Sequence, residues 1–130
     1  VWVFGAFEPA TGLATTLCAA SRRSANFAAL LDCVVQVWPC GELIVILDNL
    51  SINKTLDVRL WALAHQRVRF LFQPNYAPWL NLIEPWWKTL RSPALTGLRF
   101  DTADQIIHAI TQGTIYWNNH RHPYHWRKAA

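Results

Sequence analysis

The chain has 130 residues, 52% of them apolar, with a net charge of +4 and a pI near 9.3. That is enough for one domain with a buried core, and the mild basic excess favours a polyanionic partner without requiring one. The longest aliphatic run, Leu43 to Leu47, is far short of the ~20 residues of a membrane span, and no signal-peptide pattern opens the chain. A soluble, cytoplasmic protein is expected. Cys18, Cys33 and Cys40 form an odd set without a CxxC pair. They suggest neither a disulfide framework nor a zinc knuckle, and fit a reducing compartment in which the thiols act as small buried apolar groups.

Val1-Trp2-Val3-Phe4 opens in mid-strand without an initiator methionine, which reads as a fragment of something longer. Residues 1–6 and Thr15 to Ala20 are read as strands joined by a hairpin turn at Glu8-Pro9-Ala10-Thr11-Gly12. Ser24 is read as the cap of a helix carrying Phe27, Leu30, Leu31, Val34 and Trp38 on one side, stopped by Pro39 and Gly41. Leu43 to Leu47 is apolar on both faces, as a central parallel strand covered by helices would be. After the polar turn Asp48 to Lys54, Thr55 to Ala64 predicts a helix and Val68 to Phe72 a further short strand, the order calling for a parallel crossover. Gln73 to Pro78 reads as a loop, followed by a tryptophan-rich helix to about Leu90. A last helix is expected from about Thr102 to Trp117, with Ile106, Ile107, Ile110, Thr114 and Trp117 on one face. There is no internal repeat, low-complexity tract or convincing linker, so residues 1–130 are taken as a single domain.

Asp48 ends an apolar strand, the position at which sites gather in open α/β sheets. A lone aspartate there is more often a helix cap, and Ser51 and Asn53 compete for the same task. Glu84 is the single acid between residues 58 and 100, among Arg59, Arg67, Arg69, Lys88, Arg91 and Arg99. It suits either an ion pair or a metal ligand beside a phosphate-binding surface, since Mg²⁺ takes one or two carboxylates plus substrate phosphate. Composition leaves both open.

The segment Ile46-Leu47-Asp48-Asn49-Leu50-Ser51-Ile52-Asn53-Lys54 resembles the second-aspartate motif of mariner-like insertion-sequence transposases of the DDE superfamily. Pro74-Asn75-Tyr76-Ala77-Pro78-Trp79-Leu80-Asn81-Leu82-Ile83-Glu84 resembles their third-acid motif. The 35 residues between Asp48 and Glu84 match the family's mid-thirties separation. Gly5-Ala6 with Thr11-Gly12, and Tyr116-Trp117-Asn118 with Pro123-Tyr124-His125-Trp126, extend the likeness over nearly the whole chain.

The resemblance implies a ribonuclease-H-like three-layer α/β fold, a mixed sheet flanked by helices, with the first strand missing and residues 1–130 forming one partial catalytic domain. It implies DNA transposition: metal-dependent strand cleavage and transfer, in which Asp48 and Glu84 are catalytic metal ligands for Mg²⁺ or Mn²⁺, two ions in the complete site. The partners it implies are DNA, as transposon ends and target, and a homodimer, with no membrane and no small-molecule substrate. The first acid of the triad would end a strand preceding Val1. Glu8, Asp32, Glu42 and Asp57 occupy no matching strand end. The fragment is therefore expected to be inactive alone. A non-catalytic nucleic-acid-binding or subunit-interaction remnant of the same fold is the alternative, and another ribonuclease-H-like nuclease, such as a junction resolvase, a more distant one.

The motifs depart from the family pattern. Asn53 stands where histidine is usual, and Leu82 where proline is usual, with Pro85 directly after the acid instead. A residue before proline is pushed out of the helical region, which would extend the backbone at Glu84. If the helix starts at Glu84, however, Pro85 lies harmlessly in its first turn. Trp79, Trp86 and Trp87 are more often core than base-stacking groups, and Trp87 is expected to support the site. The His120, His122 and His125 cluster lacks the spacing of a zinc site. With Arg121, Arg127 and Lys128 it reads as a basic tail near phosphate or a solvated end.

Overall fold

The structure, a computed structural model, describes residues 1–47, 55–72, 82–95 and 99–125. Asp48 to Lys54, the expected loop at Gln73 to Pro78, and Trp126, Arg127 and Lys128 lie outside the described residues. The elements in chain order are β1 (Trp2–Phe7), β2 (Ala14–Ala19), α1 (Ser24–Val37), β3 (Leu43–Leu47), α2 (Leu56–Ala64), β4 (Val68–Phe72), α3 (Ile83–Leu95) and α4 (Ala103–Asn119). Among the described residues these make a mixed α/β arrangement of four helices and short sheets. Its contacts divide it into two compact units, one of residues Val1–Ala20 with Leu82–Ala130, the other Ser21–Asn81.

In the first unit, β1 and β2 pair antiparallel, from Trp2 opposite Ala19 to Phe7 opposite Ala14. The turn closes through Glu8 N–H to Leu13 O (2.9 Å) and Gly12 N–H to Glu8 O (2.8 Å). Gly12 has φ +81°, and a Cβ there would collide with the His122 carbonyl, so only glycine suits this corner. The side of the hairpin is packed by α3 and α4 around Ala14, Trp86, Leu90 and Trp117, with Phe7, Ile83, Trp87 and Tyr124 against them.

Helix α4 begins as predicted, with Thr102 Oγ1 accepting from Gln105 N–H (3.3 Å) and Gln105 Oε1 accepting from Asp101 N–H (2.7 Å). This reciprocal pair satisfies two backbone donors at the helix entry. Its buried face is Ile110, Thr114 and Trp117, while Ile107 is exposed. That narrower stripe meets the hairpin by polar contacts as well. Asn118 donates to Ala14 O (2.8 Å) and accepts from Ala14 N–H (2.9 Å), the Trp117 indole donates to Gly12 O (2.6 Å), and the Thr16 and Thr114 hydroxyls lie 2.8 Å apart. Asn118 thus offers Ala14 the two hydrogen bonds that a neighbouring strand would.

In the second unit, β3 and β4 pair in parallel, Leu43 opposite Val68 through Leu47 opposite Phe72, with α2 as the crossover. Leu31, Val58, Trp61 and Val68 form the core, joined by Phe27, Val35, Leu43, Val45 and Phe70. The expectation that β3 would be covered on both faces holds for one. Both helices of this unit pack on the side of Leu43, Val45 and Phe70, whereas Ile44 is 64% and Leu71 55% exposed. Two further details differ from the expectation. Arg23, not Ser24, is the N-cap of α1, without a side-chain cap bond, because the Ser24 hydroxyl donates instead to Asp57 at 2.7 Å. And Cys40 is exposed, while Cys18 and Cys33 are half-buried. Burial pushes the Cys18 thiol above its ordinary pKa, which keeps it in the neutral, unreactive form.

Arg67 does work that its sequence position did not announce. Its guanidinium donates to the carbonyls of Val35 (3.1 Å), Trp38 (2.7 Å) and Gly41 (3.0 Å), satisfying acceptors where α1 ends and the chain turns toward β3. Arg67→Ala is expected to lower the stability of this unit by about 2–3 kcal/mol, since charged hydrogen bonds contribute about that much. Arg67→Lys should recover less than half, because an ammonium lacks the fork that reaches three carbonyls. Urea titration monitored by tryptophan fluorescence measures both. In the first unit, a Cβ at Gly5 would lie 2.5 Å from the Trp87 ring. Gly5→Ala should therefore cost about 1–3 kcal/mol by overpacking, and a melting temperature equal to that of the parent would refute that close approach.

Candidate functional site

Glu84 is the sequence-predicted site residue that the structure describes. It lies in the first turn of α3, one residue after the helix begins at Ile83, and it is exposed. The two backbone possibilities left by Pro85 thus resolve to the helical one. Trp86 N–H bonds back to Leu82 O at 3.4 Å, and Pro85, lacking an N–H, occupies a position where that donor has no helical acceptor anyway. The helix also runs on past Leu90, its expected end, to Leu95.

What aims Glu84 outward is the opposite face of α3. Trp86 is fully buried and Leu90 nearly so, one turn apart, and Leu82, just before the helix, is buried as well. The Trp86 ring stacks on Phe7 at 5.6 Å and meets Trp117 edge-on at 6.3 Å, and Phe7 in turn meets Tyr124 at 5.0 Å. Tyr124 is fastened by its backbone N–H to Pro9 O (2.8 Å) and its hydroxyl to Thr89 Oγ1 (2.7 Å). With those anchors fixed, helical spacing puts Glu84, Lys88 and Arg91 on the solvent side, and all three are exposed. Trp87 packs beside Trp86 at 5.0 Å and over Gly5, so it braces the turn that carries Glu84.

The acids divide by what they touch. Glu8 accepts from the Thr11 hydroxyl within its turn, Asp32 from the Trp61 indole (2.8 Å), Asp57 from Ser24 (2.7 Å), and Glu42 pairs with Arg69 (2.7 Å). Each of the four is engaged in local structure. Glu84 has no hydrogen-bond or ion-pair partner among the described residues, despite Lys88 one turn away. Among the described residues the side-chain carboxylates of Asp101 and Asp104 at the entry of α4 likewise have no partner, and their position suits the partial positive charge of a helix start. An unpaired, solvated carboxylate is a hard oxygen donor that a divalent cation reaches without displacing a protein cation.

Asp48, Asn53 and Trp79 lie outside the described residues. Among the described residues, no three His, Cys, Asp or Glu side chains are grouped to hold a metal ion. The histidines of the C-terminal cluster pack instead. His120 bonds through Nδ1 to Tyr116 O (2.9 Å) and stacks on the Tyr116 ring, while His122 stacks on Tyr124 and meets Trp117 edge-on. Nor, among the described residues, is any helix long and apolar enough to cross a membrane.

Comparison with known proteins adds what this geometry alone does not. A family model described as DDE superfamily endonuclease matches residues 1–107, the stretch that contains Asp48 and Glu84. A curated relative, the uncharacterized 39 kDa protein of insertion element IS630 from Shigella sonnei, is 30% identical over 90 residues, 68% of this chain. The chain spans 26% of that relative's length. With more than three quarters of its residues inside the family match, this chain belongs to the DDE superfamily of endonucleases.

Proposed function

We propose that the chain is part of the catalytic domain of a mariner-like DDE transposase, in which Asp48 and Glu84 bind divalent cations and serve metal-dependent cleavage and transfer of DNA strands. The observation that carries this reading is the contrast among the carboxylates. Four of the six acids that lie off the motifs are engaged in the fold, and the other two, Asp101 and Asp104, sit at the start of α4, where a helix favours negative charge. Glu84, inside the third-acid motif, is instead solvated and without a partner among the described residues, on a firmly anchored helix. Mg²⁺ or Mn²⁺, two ions in the complete site, would activate the attacking oxygen and stabilise the leaving one during in-line displacement at phosphorus.

The chain's own residues have simpler tasks in this reading. Asp48, following β3, offers a carboxylate at a strand end. Glu84 offers the second from the first turn of α3, and Trp86 and Leu90 keep that turn from shifting. Residues 1–130 form one partial domain in the proposal. The fold in this reading is ribonuclease-H-like, three layers with a mixed sheet flanked by helices, and the first acid of the triad is not among the residues of this chain. A cytoplasmic protein acting on DNA ends and target, as a homodimer, completes the reading.

Fe²⁺ substitutes for Mg²⁺ at oxygen sites and, with ascorbate, cleaves the backbone where it binds. The purified chain is expected to be cut near residues 48 and 84, and Asp48→Asn or Glu84→Gln to abolish both cuts together. Cuts elsewhere, or cuts that survive both substitutions, would sink the assignment. Without the first acid of the triad the chain should neither nick nor join DNA in Mg²⁺ or Mn²⁺. Metal-dependent nicking by the purified chain that disappears in Asp48→Ala would overturn that expectation.

A further inference from the structure

We propose that the C-terminal end of α4 is a binding surface for single-stranded DNA, with Tyr116 and His120 stacking on an unpaired base and Arg121 meeting the adjoining phosphate. The inference takes DNA as the partner from the reading above, but uses none of the metal site.

The local geometry is unusual for a solvent face. Tyr116 is 58% exposed and Ile115 50%, although the buried side of the helix is already supplied by Ile110, Thr114 and Trp117. The Tyr116 and His120 rings are stacked, with centroids 4.2 Å apart and planes 25° from parallel. His120 is further held by its Nδ1 contact to Tyr116 O (2.9 Å). Two rings in one fixed stack lose little rotamer freedom when a third is added, and the uncovered faces remain in water. Exposed aromatics of this kind gain about 1–3 kcal/mol per stacked base, whatever the base.

Charge points the same way. The last 26 residues, Gln105 to Ala130, contain no acid, but three Lys or Arg and four His. Arg121 directly follows the stack, its Nη1 donating to Asn118 O at 2.8 Å. That bond steadies the guanidinium beside the rings and leaves its other N–H groups for a phosphate. An acidic or apolar protein surface would satisfy the charge or the rings, but a single strand offers an unpaired ring and an anion one nucleotide apart. A duplex conceals the ring faces and should gain only from Arg121.

The test is fluorescence anisotropy of labelled oligothymidylate and of a duplex, titrated with the full chain in EDTA over a range of salt. Tyr116→Ala is expected to weaken single-strand binding about fivefold or more while changing duplex binding less than about twofold. Tyr116→Phe should restore single-strand affinity, since the ring and not the hydroxyl stacks. Arg121→Ala should lower the slope of log affinity against log salt by about 0.7 for the single strand. The proposal is overturned if the parent chain does not bind the single strand, or if Tyr116→Ala binds like the parent with an unchanged circular dichroism spectrum. It is overturned equally if Tyr116→Phe loses as much as Tyr116→Ala. Because EDTA removes the cations, failure here leaves the iron-cleavage result standing, and failure of iron cleavage leaves this result standing.

Discussion

The burial of Trp86 is the constraint on which the geometry of the first unit depends. Its ring is sealed between Phe7 of β1 and Trp117 of α4, so α3 cannot rotate about its own axis without breaking two aromatic contacts at once. Fully burying a side chain of this size contributes several kcal/mol, enough to outweigh the indole N–H, which has no hydrogen-bond partner and costs about 1–3 kcal/mol for that. Leu90, one turn on, doubles the anchor. A helix held so firmly on one side presents a defined polar strip on the other, and the exposed Glu84 heads that strip.

The distribution of carboxylate partners gives that strip its chemical meaning. Asp32 and Asp57 tie α2 and α1 together through Trp61 and Ser24, and Glu8 stiffens its turn. These acids lower the energy of the fold, and the backbone geometry around them depends on their staying where they are. Arg67, which sequence position grouped with cations facing phosphate, is likewise absorbed, as the clasp between the end of α1 and the turn before β3. Arg69 is taken by Glu42. The charges that remain uncommitted around α3 are fewer than the letter count suggested, and Glu84 is among them.

How much of this was legible in the letters follows from how local each cause is. The strands and helices were readable because alternation and 3.6-residue spacing act over a few positions; β3 and β4 carry the bounds read from their apolar runs, and Thr102 caps α4 as its type suggests. Ser24 was misjudged because its hydroxyl prefers a carboxylate 33 positions away to its own helix. The clip from Asn118 to Ala14 spans 104 positions, and no period or motif rule reaches that far. The one-sided covering of β3 was also invisible, since apolar letters on both faces state what a strand can bury and not which helices arrive. Of the candidate site, the third-acid motif marked Glu84 but left its backbone open between extended and helical, since Pro85 suits either; the helix and the exposure of Glu84 follow from packing at Trp86 and Leu90. The other half, Asp48, lies outside the described residues.

Leu82 and Pro85 show that a departure from a family pattern need not be damage. A helix start tolerates proline because its first N–H groups have no acceptors within the helix, and that tolerance covers the whole first turn. Moving the proline from position 82 to position 85 keeps it inside the permitted window. Position 82 then carries an apolar side chain, and Leu82 is buried while its carbonyl accepts the Trp86 N–H. The exchange therefore leaves the helix start intact, and the turn that bears Glu84 keeps its buried side at Trp86 and Leu90. Read one position at a time the two substitutions look like decay, yet for this helix they are compatible with a carboxylate in the first turn, buried side chains behind it and solvent in front.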